Sequence, residues 1–252
     1  MIRLENLTIG YGSRILVEKA DAVIRRGTLT ALLGRNGTGK STLLRDIAGM
    51  ERIMAGDILI GETPVGEYTP ARMALTVATV TTERIRIADL RCRDVVALGR
   101  APYTNWIGRM QAADADIVTE ALATVGMAGY ADRTMDRMSD GECQRIMIAR
   151  ALAQQTPVIL LDEPTAFLDM PNRYELCTLL ARLAHDGNKC ILFSTHELDI
   201  ALNMCDDIAL IAPPRLFLQD AGAMVRSGHI EKLFAAESVA FDPVTRSVVV
   251  KR

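Results

Sequence analysis

One octapeptide constrains this chain more than anything else in it: Gly34-Arg35-Asn36-Gly37-Thr38-Gly39-Lys40-Ser41. It fits the phosphate-loop pattern G-x-x-x-x-G-K-S/T in full. Residues 29–33 before it read as a short buried strand, and residues 42–48 after it read as the start of a helix. Such a loop works only in that strand–loop–helix context. Its three glycines let the backbone wrap tightly, so that successive N–H groups point at a phosphate chain. The helix N-terminus adds partial positive charge behind them. Lys40 brings a full charge to the β- and γ-phosphates, and the Ser41 hydroxyl suits Mg²⁺. Lys40 is also the only lysine between Lys19 and Lys189, so the loop has no nearby substitute.

A chain of 252 residues, 49% of them hydrophobic, has enough apolar surface for one sizeable core. The net charge of −2 leaves no electrostatic footprint for nucleic acid. The five cysteines are scattered without a C-x-x-C pair, which fits reduced thiols better than a metal site or a disulfide framework. The first residues do not read as a signal peptide, and no apolar run approaches the roughly eighteen residues that span a bilayer. A soluble protein is expected, with any membrane role exercised through a partner.

Along the chain, residues 3–9 alternate as a half-buried strand does, residues 15–24 continue as strand, and residues 56–61 form another strand bounded by glycines. From about residue 88 to 153 the texture turns helical, clearest at 94–99 and 112–126. Strands at 158–161, 190–194 and 208–211 then alternate with helices at 172–185 and 197–204. That alternation implies a parallel sheet with helices on its faces. The expected fold is therefore an α/β core with a mostly parallel sheet, an N-terminal antiparallel β-subdomain and an inserted helical block. The core takes in approximately residues 1–83 and 154–252, and the helical block residues 84–153, within one domain. Residues 237–252 alternate valine with polar residues, as a last strand would.

Two further segments carry chemistry. Residues 158–161 are apolar and end in Asp162 and Glu163, so the carboxylates emerge at the strand's carboxyl end. Asp162 suits Mg²⁺, directly or through water. Glu163 suits a base that polarises a water for attack on a γ-phosphate. The second segment is Ser139-Asp140-Gly141-Glu142, which precedes an apolar run. Ser139 with Glu142 is a capping box, and the same helix tip could also bind a phosphate. The residues alone leave both readings open.

In this order, the phosphate loop, Ser139-Asp140-Gly141-Glu142 and Asp162-Glu163 resemble the ATP-binding-cassette (ABC) ATPases. Phe167-Leu168-Asp169 matches that family's D-loop and Ser194-Thr195-His196 its switch histidine. The resemblance runs from residue 4 to about residue 230. It implies a P-loop NTPase core of RecA-like type and a head-to-tail homodimer. Two ATP molecules would lie at the interface, each between one copy's loop and the other copy's signature helix. It further implies that Tyr11 stacks on adenine and that residues 34–41 with Thr42 and Asp162 hold the nucleotide. Ser139 and Gly141 would meet the γ-phosphate of the opposite site, and His196 would contact that phosphate and help hold the attacking water.

The chain departs from the family pattern twice. Asp140 and Glu142 stand where a glycine and a glutamine are usual, and Asp140 adds negative charge near a γ-phosphate. The glutamine usual between core and helical block falls at Thr82, with Glu83 beside it; Thr82 is taken as a further Mg²⁺ contact. Residues 94–106, which hold the only tryptophan, resemble the helical segment of importer cassettes for iron–siderophore complexes, haem and cobalamin. By that likeness Tyr103 and Trp106 belong to a groove that receives a permease helix. The partners implied are an integral-membrane permease, a second copy of the chain and, indirectly, a substrate-binding protein, with no nucleic acid. The implied location is the cytoplasmic face of the cell membrane. The rival functions are a soluble cassette ATPase working on nucleic acid or ribosomes, a P-loop small-molecule kinase, and a non-catalytic nucleotide-binding regulator. The absence of a second cassette and of a basic patch speaks against the first; the signature segment, Glu163 and His196 speak against the others.

Overall fold

The computed structural model describes residues 1–81, 89–104, 111–166, 168–234 and 239–250. Thr82, Glu83, Asn105, Trp106 and Phe167 lie outside the described residues. From the N-terminus, β1 (Ile2–Tyr11) and β2 (Arg14–Ile24) pair antiparallel. Strand β3 (Thr28–Leu33) leads through the glycine loop into α1 (Lys40–Ile47). Then come β4 (Ala55–Ile60), β5 (Thr63–Pro64), α2 (Pro70–Ala74) and β6 (Val77–Val80). A helical stretch follows with α3 (Cys92–Ala97), α4 (Ala112–Thr124) and α5 (Asp140–Ala153). The α/β alternation resumes with β7 (Val158–Leu161), α6 (Met170–His185), β8 (Cys190–Thr195), α7 (Leu198–Met204), β9 (Asp207–Ala212) and β10 (Arg215–Asp220). Helices α8 (Ala221–Arg226) and α9 (His229–Phe234) precede a hairpin of β11 (Val239–Asp242) and β12 (Ser247–Val250).

Two main sheets result. One is antiparallel, in the order β2-β1-β4-β5; the other runs β10-β9-β3-β8-β7-β6. In the second sheet β6, β7, β8, β3 and β9 are parallel, and β10 closes one edge antiparallel to β9. The period-2 alternation of a strand divides the interior in two. Leu29, Ala31 and Leu33 of β3, with Ile159, Leu161, Ile191 and Phe193, face a core built with the helices. Leu32, Leu160 and Leu192 face the other way, onto Ile2, Leu4, Leu7 and Ile9 of β1 and Leu43 and Ile47 of α1. Helix α1, which carries the glycine loop, thus packs in a buried layer with the antiparallel sheet. Runs of consecutive aliphatics in β3, β7 and β8 follow from burial on both faces.

Helices α3, α4 and α5 share the first core through Val95, Val96, Val118, Leu122, Ile146 and Met147. Gly99 permits their close approach, because a Cβ there would overlap the Arg150 carbonyl oxygen. Arg100 is 5% exposed and locks the ends of α4 and α5 together. Its Nε donates to Asp114 Oδ1 at 2.8 Å, and its Nη1 donates to the Ala153 carbonyl and to Gln155 Oε1. Tyr103, in the segment expected to help form a docking surface, is only partly buried and also makes contacts within the chain. Its ring lies 3.8 Å under the Arg100 guanidinium, and its hydroxyl donates to the Gln154 carbonyl. The tail is a two-stranded hairpin rather than one last strand, with Pro243 in the turn between β11 and β12. Strand β10 and helices α2, α8 and α9 lie where the sequence pattern signals no element; each is six residues or fewer, too short to show a period. Among the described residues, no helix is long and apolar enough to cross a membrane.

One residue breaks the pattern of α1. Asp46 is 2% exposed, and its Oδ2 has no hydrogen-bond partner among the described residues. Burial, reinforced by the charge of Glu51 and only partly offset by Arg45, pushes its pKa from the ordinary 3.8 to about 6. A carboxyl whose native pKa is raised favours folding when protonated. Its contribution is fully present below about pH 4 and is lost as pH rises through about 6. Asp46→Asn is therefore predicted to raise the stability of the isolated chain at pH 8 by roughly 1–3 kcal/mol. The gain should vanish near pH 4 in thermal melts; a variant less stable than wild type at pH 8 would contradict the assignment.

Candidate nucleotide site

Parallel strands deliver the site, because chemistry collects at the carboxyl ends of an α/β sheet. Strands β3, β8 and β7 are neighbours, with Leu33 level with Thr195 and Leu161 level with Phe193. The glycine loop follows β3, His196 follows β8, and Asp162 and Glu163 follow β7. Three segments remote in sequence thereby open onto one edge.

The loop has the form of an anion cradle. Gly37 and Gly39 adopt φ of 76° and 106°, which side chains disfavour. At Gly34 a Cβ would come within 2.7 Å of Thr38 Oγ1, and at Gly39 within 3.1 Å of Leu16. Thr38 braces the turn by donating to the Arg35 carbonyl at 2.8 Å. Arg35, Asn36 and Gly37 are exposed at its rim. Helix α1 begins at Gly39 with no side-chain cap, so its first N–H groups are left to bind an anion.

Lys40 is 6% exposed. Its ammonium donates to the Gly34 carbonyl at 3.0 Å and to that of Arg35 at 3.4 Å, and lies 3.8 Å from Glu163 Oε1. Burial pushes its pKa below the lysine range, while Glu163 and Asp162 pull it back up. The residues fit a nucleotide triphosphate with its Mg²⁺. The cradle is uncapped and a buried cation faces it. The half-buried Ser41 hydroxyl has no hydrogen-bond partner among the described residues, and the Asp162 side chain supplies hard oxygen donors. Such an ion normally keeps several waters and phosphate oxygens, so two protein oxygens suffice.

Opposite the loop, Glu163 takes φ of 46°, uncommon for a side-chain-bearing residue. Its Oε1 lies 3.5 Å from His196 Nδ1, and His196 is half-exposed. Ser194 holds this turn: its hydroxyl donates to Asp162 Oδ1 at 2.6 Å and accepts from the Glu163 N–H at 2.8 Å. In the sequence Ser194 stands out only as part of the Ser194-Thr195-His196 motif. The level of Phe193 with Leu161 is the signal that places Ser194 beside Asp162. Behind it, Thr165 donates to Glu197 Oε1, and Arg173 bridges Glu197 Oε2 at 2.6 Å and the Leu168 carbonyl at 2.7 Å. This network, which fixes the chain after the acid pair, has no short-range signature.

Tyr11 ends β1, half-exposed, with its hydroxyl accepting from Thr42 Oγ1 at 2.7 Å. The aromatic ring is thus tied to the helix that follows the loop. Ser139 N-caps α5 in a reciprocal capping box: its hydroxyl accepts from the Glu142 N–H at 3.3 Å, and its N–H donates to Glu142 Oε2 at 2.8 Å. The Ser139 N–H, helped by its hydroxyl, holds the Glu142 carboxyl below the usual range. Gly141 sits against Leu168, whose Cδ2 would be 3.2 Å from an added Cβ. The signature helix therefore abuts the segment after Asp162-Glu163 within one chain. Thr82, assigned above to Mg²⁺, lies outside the described residues.

A phosphate cradle, a buried lysine, two carboxylates and a histidine at the carboxyl edge of a parallel sheet define a P-loop ATPase. The ABC transporter family model matches residues 17–166, and the chain belongs to that family. It is an ATP-binding, ATP-hydrolysing cassette. It is 37% identical over 243 residues to a cobalamin import ATP-binding protein of Halobacterium salinarum, covering 95% of this chain and 60% of that one. It is 36% identical over 197 residues to an iron(3+)-hydroxamate import ATP-binding protein of Bacillus subtilis, covering 78% and 73%. Among solved structures, an ABC transporter in an inward-facing conformation superposes with a TM-score of 0.82 at 27% identity, covering 92% of this chain and 88% of that one.

Ser194→Ala is predicted to lower kcat about 10- to 100-fold, because the acid pair loses its brace. The Kd for ATP should change by less than about threefold, since the cradle is untouched. A parallel loss of affinity, measured by nucleotide titration, would place Ser194 in binding instead.

Proposed function

We propose that this chain is the motor subunit of an ABC importer, closing as a homodimer on ATP to drive uptake through a membrane permease. The observation that carries the reading is the convergence of Lys40, Asp162, Glu163 and His196 on the mouth of an uncapped helix. The names of the relatives favour import over a soluble role, and iron–siderophore or cobalamin complexes as the class of cargo. The chain would sit at the cytoplasmic face of the membrane, held there by its permease, with a substrate-binding protein delivering cargo from the other side.

In the proposed site the loop from Gly34 to Ser41, with Thr42, holds the triphosphate, and Tyr11 stacks on adenine. Ser41 and Asp162, with Thr82 as a further candidate, would hold Mg²⁺, which supplies charge neutralisation on the β- and γ-phosphate oxygens. Glu163 accepts a proton from water as that water attacks the γ-phosphorus, and the bond to the bridging oxygen breaks to release ADP. His196, within reach of Glu163, steadies the γ-phosphate and the water. Ser139 and Gly141 of a second copy meet the same phosphate, so binding closes the dimer and hydrolysis releases it. Helices α3 to α5, in the helical block assigned to residues 84–153, would face the permease together with the segment 94–106.

Glu163→Gln is expected to retain ATP binding, to hydrolyse at least about 100-fold more slowly and to accumulate an ATP-dependent dimer in size-exclusion chromatography. Turnover near wild type would remove Glu163 from the role of base. Lys40→Ala should abolish measurable nucleotide binding, and unchanged affinity would refute its place in the cradle.

A further inference from the structure

We infer that Arg173 is a positioning residue for hydrolysis, holding the turn that carries His196 and the segment after Asp162-Glu163 in one frame. Arg173 lies near the start of α6, where its guanidinium reaches two segments that follow different strands. Its Nε donates to the Leu168 carbonyl at 2.7 Å, in the segment after β7. Its Nη1 donates to Glu197 Oε2 at 2.6 Å, in the turn after β8. The second carboxylate oxygen, Glu197 Oε1, accepts from Thr165 Oγ1 at 2.9 Å. The Leu168 N–H in turn donates to the Thr165 carbonyl at 3.2 Å. The four residues thus close a ring of hydrogen bonds that spans both turns, and Glu197 stands next to His196 in the chain.

Helix stability does not account for these residues. Asp169 already caps α6 by accepting from the Asn172 N–H, and a cation near the start of a helix opposes its dipole. Glu197 is the N-cap residue of α7, yet its side chain makes no capping bond and is spent on Arg173 and Thr165. A largely buried carboxylate paired with a guanidinium adds little net stability, because desolvation offsets the attraction. What the pair supplies is geometry. The guanidinium is planar, with donors in fixed directions, so it holds acceptors on two segments at a set spacing; a lysine offers a single nitrogen. The His196 ring is 53% exposed, so its place depends on the main chain around it. That chain is held on both sides, since the Glu197 N–H also donates to Thr195 Oγ1 at 3.0 Å. Without Arg173 the histidine and the segment after the acid pair would shift independently, and small misplacements of reacting groups are costly in rate. The cradle around Lys40 is not part of the ring, so nucleotide affinity is spared. The inference rests on the roles proposed for Glu163 and His196, and adds the residue that keeps them in register.

The test compares ATP hydrolysis and nucleotide titration of the full chain with those of Arg173→Ala, Arg173→Lys and Glu197→Gln, with Glu163→Gln as reference. Both Arg173 variants should lower kcat about tenfold, with the Kd for ATP within about twofold of wild type. Guanidinium chloride at low-millimolar concentration, far below denaturing levels, should restore part of the Arg173→Ala rate and leave wild type unchanged. Glu197→Gln should slow turnover by a similar factor, and adding it to Arg173→Ala should cost little more, since both changes break the same link. Wild-type kcat in either Arg173 variant overturns the inference; in Arg173→Lys it would make charge alone sufficient. So does a slow Arg173→Ala that guanidinium leaves unrelieved, which would make the residue structural, and so do fully additive losses in the double variant. If Arg173→Ala does not fold, Arg173→Lys and Glu197→Gln, which keep size and polarity, decide the question by the same split between kcat and Kd. Wild-type turnover by Glu163→Gln beside slow Arg173 variants would overturn the reading of Glu163 as base and leave the role of Arg173 standing, so the two failures are told apart.

Discussion

A buried lysine ammonium held against main-chain carbonyls is the interaction on which the rest of this molecule depends. Lys40 has given up water, and what replaces it is the Gly34 and Arg35 carbonyls with Glu163 nearby. That arrangement requires the neighbouring strands β3, β8 and β7 to end at one level, since the lysine opens the helix that follows β3 and the glutamate comes from the turn after β7. It also requires a loop without side chains, or the ammonium could not approach its own backbone. The two-sided burial of the parallel sheet serves this end. Each face has its own apolar core, so the strand ends are held from both sides and the loops between them carry the chemistry.

In the proposed dimer, one copy of the chain holds only part of each site. The cradle, the acid pair and His196 surround one side of the space where a γ-phosphate would lie. The capped tip of α5 belongs to another part of the surface, where Ser139 is satisfied by Glu142 and Gly141 rests on Leu168. A helix tip whose cap is supplied locally stays folded without a ligand, yet keeps its dipole, as the proposed dimer requires. The approach of Gly141 to Leu168 gives the acid-pair segment and the signature helix a shared boundary.

Much of the catalytic edge was legible in the residues because it is local. A glycine loop, an aliphatic run ending in two acids and a capping box each declare themselves within eight residues, and β7 falls where the aliphatic run lies. Contacts built across the sheet were not legible. The Ser194 hydroxyl bridging Asp162 and Glu163 depends on register between strands thirty residues apart. The Arg173–Glu197–Thr165 network is equally non-local. The stacking of Tyr103 on Arg100 and its hydrogen bond to the Gln154 carbonyl are likewise non-local. Short elements such as β10 and α2 have too few residues for a period to emerge, and the end hairpin was read as one strand because its turn is brief. Asp46 gave no sequence sign, since an aspartate in a helix reads as solvated until its burial is seen.

The central claim is that triphosphate is shared between the glycine cradle of one copy and the α5 tip of another. A structure of the Glu163→Gln chain, determined at saturating ATP and Mg²⁺, tests it most directly. The account predicts a two-fold dimer with Ser139 Oγ of each copy within hydrogen-bond distance of the γ-phosphate seated on the other copy's Lys40. ATP fully bound in the cradle of a chain whose Ser139 meets no γ-phosphate, in any assembly, would contradict it.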